Sequence, residues 1–107
     1  ELIQKGCIVV TCYSSNEDNA KILSEEISSK NLLIMKCDVS NEKDVIDMIN
    51  KIKSTFGNID YLVNNAGTFI DNLIKDFNIE EFKKVLDINL LGKVICTKHS
   101  YNIMNEG

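Results

Sequence analysis

The amino-acid sequence predicts an α/β fold, a doubly wound parallel sheet with helices on both faces. Three observations predict it. Short β-branched apolar runs alternate with amphipathic stretches of helical period. The intervals between runs are long enough for helical crossovers, which join successive strands in parallel and cover both faces of a sheet. Each apolar run ends in small or hydrogen-bonding residues, at the strand ends where such sheets hold ligands.

The elements follow in order. "ELIQKG" (1–6) reads as the last turn of a helix with Gly6 as its stop. "CIVVTCY" (7–13) lacks a 3.6-residue period and reads as a buried strand. Ser15 and Asn16 then offer N-caps, Glu17 and Asp18 favour a first helical turn, and Ala20, Leu23 and Ile27 form the apolar stripe. "NLLIMKCDV" (31–39) is a second buried strand. From about Asn41 to Phe56, Val45, Met48, Ile49, Ile52 and Phe56 share one helix face, and Gly57 stands where a left-handed stop belongs. "IDYLVNN" (59–65) reads as a third strand. The last stretch, from Asn78 to Gly107, carries a long helical pattern, placed at 79–104. Phe82, Val85, Leu86, Cys96 and Ile103 mark one stripe, and Leu91, Val94 and Ile95 a second. A helix apolar on two sides is buried on two sides, one against its own sheet and the other against a second subunit.

Composition bounds the function. The chain has 107 residues, a hydrophobic fraction of 44%, a charged fraction of 26% and a net charge of −4. That size suits one domain with a real core. The acidic balance and the lack of a basic stripe argue against nucleic acid as a partner. No apolar run approaches the ~20 residues that span a bilayer, and no signal peptide is present, so cytoplasmic localisation is expected. Cys7, Cys12, Cys37 and Cys96 lack C-x-x-C spacing, and His99 is the one histidine, so no metal site is expected. Cys7, Cys12 and Cys37 lie in apolar runs and read as small core residues of a reducing compartment. The chain opens without methionine and mid-pattern, which reads as a segment of something longer.

The chemistry gathers at the strand ends "CYSS" (12–15), "CDVS" (37–40) and "NNAG" (64–67). Small residues let a flat ligand lie against the backbone, while amides and carboxylates read its edges. Loops favour these residue types in any case, but three such ends together point to a nucleotide site. Asn89 follows Phe82 by seven positions, Val85 by four and Leu86 by three, so its amide falls on the apolar side of its helix. An unsatisfied buried polar group costs roughly 1–3 kcal/mol. Asn89 therefore needs partners there, either a water, a neighbouring main chain or a strand that it ties to the helix. Gly92, one turn on, removes a side chain where helix and sheet approach closely.

"NNAG" closing one strand, "CDVS" closing the strand before it and "DINLLG" (87–92) on the next helix resemble the short-chain dehydrogenase/reductase family, across essentially the whole chain. Residues 68–98 are most similar to its 3-oxoacyl-[acyl-carrier-protein] reductase branch, which carries an Asp-Asn-Leu triplet shortly after NNAG, here Asp71-Asn72-Leu73. Ile70 stands where that branch usually has arginine. The resemblance implies that 1–107 is a single incomplete, Rossmann-like dinucleotide-binding domain, the central segment of a longer chain. Asp38 would accept from the adenine amino group, with Val39 beside the base. Asn65, Ala66 and Gly67 would run beneath the adenosine ribose, and Asn64 would tie the central strands together. Asn89 matches the asparagine of the family's catalytic Asn-Ser-Tyr-Lys tetrad, which positions a water of the proton relay.

An acid at the tip of the strand ending at Tyr13 would hold the ribose 2′-hydroxyl of NAD. Here Ser14 and Ser15 come first and suit a 2′-phosphate, so NADPH is favoured over NADH as cofactor, although the same serines also suit a helix cap. The family's glycine-rich turn would precede Glu1 and its Ser, Tyr and Lys would follow Gly107. The strand that would lie between the first and third is missing too, which leaves a gap in the sheet and this segment alone inactive. The expected parent is a ketone reductase whose substrate is a 3-oxoacyl thioester on an acyl carrier protein. The 79–104 helix matches the family's subunit-pairing helix and implies a homotetramer. Two rivals stand beside this reading: a family member acting on a sugar, steroid or small ketone, and a nucleotide-binding member without catalysis.

Overall fold

The computed structural model describes residues 1–106; Gly107, the end of the predicted domain and of the last helical pattern, lies outside the described residues. The chain forms two compact units, one spanning Glu1–Asp38 and the other beginning at Val39.

The first unit is a βαβ arrangement. A 3-10 turn at Ile3–Lys5 closes on Gly6, whose φ of 87° is the left-handed conformation expected of a glycine stop. Strand β1 (Val9–Tyr13) and strand β2 (Leu32–Lys36) pair in parallel, from Val9 opposite Leu32 to Tyr13 opposite Lys36. One further bond at each end, Val9 N–H to Asn31 O and Cys37 N–H to Tyr13 O, both 2.8 Å, extends the ladder. Both predicted strands are present, trimmed to the residues that find a partner. They are not the buried strands expected: no residue of either is fully buried, since a two-stranded sheet has no third strand beside it. Helix α1 (Glu17–Glu26) makes the crossover that parallel strands require and packs on β2. Of its two candidate caps Asn16 serves, its side chain accepting from Asn19 N–H at 3.1 Å.

The second unit is built on two helices. Helix α2 (Glu42–Phe56) begins at Asn41, whose Oδ1 accepts from Asp44 N–H at 3.2 Å, and ends at Gly57 with φ 90°. Its predicted face buries Val45, Ile49 and Ile52, whereas Phe56 stays 37% exposed. Helix α3 (Ile79–Leu86) starts at Asn78, which accepts from the N–H groups of Glu80 and Glu81 at 2.9 and 3.3 Å. A π-helical turn over Asp87–Leu91 continues it into α4 (Gly92–Tyr101), and Gly92 N–H bonds Asp87 O across the widened turn. α2 packs on α4, where Ile95, Cys96 and Ser100 are buried together with Ile103 beyond the helix end.

Two expectations need correction. Residues 59–65 do not form a strand: Ile59 makes a single parallel bridge to Met104, through bonds of 2.9 Å to Ile103 O and 3.1 Å from Asn105 N–H. A strand needs a ladder, and among the described residues none runs along this segment, so Tyr61 and Val63 are exposed instead of buried. The final helix also ends at Tyr101 and not at 104, because Ile103 and Asn105 turn back to bond Ile59. The π-turn explains why the predicted stripes are mixed. It advances everything after it by one residue, roughly 100° around the axis, so Ile95 joins Cys96 in the core while Val94, from the same predicted stripe, faces out.

Candidate functional site

The first unit carries two of the predicted site residues. β1 and β2 run in parallel with Tyr13 opposite Lys36, so the exposed Ser14 and the part-buried Asp38 both lie just beyond their carboxyl ends. Glu17, the first acid after β1, pairs with Lys36 at 3.3 Å. Both side chains are exposed, so the pair contributes little stability. It does occupy the first acid after β1 with a cation.

The second unit brings Gly67, Thr68 and Asn89 together. Asn89 lies in the π-turn, where its amide grips one peptide unit from both sides. Oδ1 accepts from Thr68 N–H at 2.8 Å, and Nδ2 donates to Thr68 O at 2.7 Å. Of the partners open to it from sequence, a neighbouring main chain is the one observed. Gly67 sits against this clamp, and a Cβ there would lie 3.4 Å from Asn89 Oδ1. Just before it, Asn65 N–H reaches Val63 O at 3.1 Å, a three-residue turn that ends the apolar run in its exposed amides and small residues. Asn64 makes its tie to a helix: Nδ2 donates to Thr97 Oγ1 at 3.1 Å, and that hydroxyl donates to Lys93 O at 2.7 Å.

Val39 meets the same helix one turn further along. A Cβ on Gly92 would lie 2.7 Å from Val39 Cγ2 and 3.3 Å from its carbonyl carbon, so only glycine lets the backbones approach this closely. The predicted close approach at Gly92 is therefore present, and Val39 is its partner. Thr68 and Thr97 were not singled out from sequence. Their signal was available only as polar residues next to the motifs, which many loops and helices show.

Electrostatic perturbation lies elsewhere in this unit. At the start of α2, hydrogen bonds from His99 (2.8 Å) and Lys98 (3.0 Å) hold the Glu42 carboxyl below its ordinary range. Among the described residues no group of three or more His, Cys, Asp or Glu side chains is placed to hold a metal ion. Among the described residues no helix is long and apolar enough to cross a membrane.

A parallel βαβ unit followed by a helix with an asparagine-bearing π-turn defines an α/β protein of the Rossmann type. The chain belongs to the short-chain dehydrogenase family: the family model described as short chain dehydrogenase matches residues 1–107. It is 35% identical over 98 residues to 3-oxoacyl-[acyl-carrier-protein] reductase FabG of Staphylococcus epidermidis, covering 90% of this chain and 40% of that protein. It is 32% identical over 108 residues to dehydrogenase/reductase SDR family member 11 of Gallus gallus, covering 98% of this chain and 42% of that protein. The chain thus spans about two fifths of the length of these curated relatives. Among solved structures it superimposes on a short-chain dehydrogenase/reductase of the glucose/ribitol dehydrogenase type from Brucella melitensis with a TM-score of 0.88 at 21% identity, covering 98% of this chain and 45% of that one. A short-chain dehydrogenase/reductase from Serratia marcescens gives 0.84 at 23% identity, covering 95% and 42%.

Proposed function

We propose that the full-length protein is a cytoplasmic, NADPH-dependent reductase that converts a ketone to an alcohol, its substrate a 3-oxoacyl thioester carried on an acyl carrier protein. The observation that carries this reading is the Asn89 clamp. An amide on a helix that grips the peptide directly after "NNAG" holds the small-residue floor and the helix as one piece. The resemblance to FabG supports the substrate, and Ile70 in place of the branch's usual arginine is the one departure in that loop.

Each unit carries residues that would suit part of a dinucleotide. Asn65, Ala66 and Gly67 expose main chain with little side chain above it, and a base or ribose packs against such a surface. Ser14 offers an exposed hydroxyl to a 2′-phosphate, and Glu17, the first acid after it in sequence, is engaged by Lys36. Asp38 and Val39 would hold the adenine edge and face. The bound cofactor would supply the hydride. Asn89 would position a water of the proton relay, with its side chain fixed by Thr68 so that the π-turn keeps its shape. The apolar row on α3 and α4 would pair with a second copy, as a homotetramer requires.

The test is NADPH oxidation by the full-length protein with an acetoacetyl thioester, beside Asn89→Ala. The variant is expected to lose at least tenfold in kcat and about 1–3 kcal/mol of stability, since two hydrogen bonds to Thr68 go with it. Failure of the unaltered protein to reduce any carbonyl would remove the enzyme reading. For cofactor choice, Ser14→Asp is expected to raise the Kd for NADPH at least tenfold while leaving that for NADH within about twofold. Equal loss for both would count against a 2′-phosphate at Ser14. A second reading, a reductase of another carbonyl substrate, is favoured by Ile70 and by the 32% identity to SDR family member 11. A panel of sugar, steroid and small ketones in the same assay separates the two.

A further inference from the structure

We infer that Thr97 is a positioning residue for the small-residue floor: its hydroxyl holds Asn64 and so fixes one end of the segment 65–67. The inference rests on the dinucleotide reading above, in which that segment lies beneath the adenosine ribose. Thr97 stands outside the "NNAG", "CDVS" and "DINLLG" motifs. Asn64 Nδ2 donates to Thr97 Oγ1 at 3.1 Å, while the Asn89 clamp holds the Thr68 peptide at the other end. Thr97 lies two turns beyond Asn89 on the same helical run. Asn65, Ala66 and Gly67 therefore hang between two ties to one helical support. Asn64 is also the central residue of the turn closed by Asn65 N–H and Val63 O, so a hold on its side chain is a hold on that bend.

The direction of the bond follows from what a hydroxyl can offer. Thr97 has one proton to give and gives it to Lys93 O at 2.7 Å. That is the ordinary back-bond of a threonine within a helix, and by itself it serves the helix alone. It leaves the oxygen able only to accept, so Asn64 must present its amino end to Thr97 and turn Oδ1 away. The helix thus sets the orientation of the amide. Both side chains are exposed, so their bond does little for the stability of the whole molecule. Its loss should be read in how the floor receives a ligand, more than in the unfolding transition.

The test measures the Kd of the full-length protein for NADPH and for NADH by titration calorimetry, since both carry the adenosine. Thr97→Val keeps the shape and removes the hydroxyl, and is expected to weaken binding about tenfold. Thr97→Ser keeps the hydroxyl and is expected to stay within about twofold of the unaltered protein. Asn64→Ala is expected to weaken binding as Thr97→Val does, and the double variant no further, because both changes break the same bond. If Thr97→Val does not fold, Asn64→Ala set against Thr97→Ser carries the same expectation. A lowered urea midpoint with Kd unchanged is what a merely structural hydroxyl gives, and would overturn the inference. So would additive losses in the double variant, or a Thr97→Ser as weak as Thr97→Val. An unaltered protein that binds neither dinucleotide would remove the dinucleotide reading itself, and this inference with it.

Discussion

A single missing carbon carries much of the second unit's geometry. At Gly92 an added Cβ would come within 2.7 Å of Val39 Cγ2 and 3.3 Å of both Val39 C and Asp87 O. The first of these neighbours is a side-chain methyl and can be removed; the other two are backbone and cannot. Gly92→Ala is therefore expected to destabilise the full-length protein by about 1–3 kcal/mol, as overpacking does. In a Val39→Ala background the same change is expected to cost about 1 kcal/mol less, because one of the three collisions has gone. Urea denaturation of the four proteins reads this coupling, and strictly additive effects would show that the approach of Val39 to the helix is not what Gly92 serves. Asn89 illustrates what was readable at this scale and what was not. Its position on an apolar face announced a satisfied amide, and it is satisfied. Its partner, the Thr68 peptide, was hidden because a side chain that can bond a strand, a loop or a water leaves the same mark in the sequence.

At the scale of elements, what was readable follows from locality. Asn16, Asn41, Gly6 and Gly57 act within a turn of the helices they bound; the two glycines were placed as stops by sequence alone, Asn16 was one of two candidate caps, and Asn41 marked the start of its helix. The third strand was misplaced because a strand is defined by a neighbour, and the apolar run at 59–65 says nothing of one. The π-turn was invisible because a single widened turn has no residue pattern of its own, yet it re-phases every apolar position after it. Glu42 joins two elements in a way no local rule anticipates. It stands at the start of α2, where the helix dipole favours a carboxylate, and it meets Lys98 and His99 from the last turn of α4, where cations are favoured. Its pKa is lowered from 4.5 by these contacts, so the carboxylate's contribution to stability is complete above that value and fades as pH falls through the lowered one. Glu42→Gln is expected to flatten the acid side of the stability profile. Urea midpoints of both proteins from about pH 3 to pH 7 provide the measurement, and parallel profiles would show that the contacts carry no linked proton.

For the whole molecule, the surface holds the remaining argument. The net charge is −4, yet a row of large apolar side chains runs exposed along α3, the π-turn and α4: Ile79, Phe82, Leu86, Leu90, Val94 and Tyr101. Spacings of three, four, four, four and seven residues keep them near one face despite the intervening π-turn. Leu90, Val94 and Tyr101 are 63, 56 and 77% exposed, too much apolar surface in one line for the scattered residues of an ordinary exterior. A second copy of the same helix would be the occupant in the proposed homotetramer, because a two-fold axis across the row makes it self-complementary. Burying a side chain of Val or Leu size is worth roughly 1.5–3 kcal/mol, so a charge at the centre of the row removes that gain and adds a desolvation penalty in both partners. Val94→Glu is accordingly expected to convert the full-length protein from a higher oligomer to dimer or monomer at micromolar concentration, measured by sedimentation velocity. Circular dichroism unchanged from the unaltered protein would separate lost assembly from lost folding, since Val94 is no part of the packing between α2 and α4. If the variant sediments as the unaltered protein does, the row is not the pairing surface.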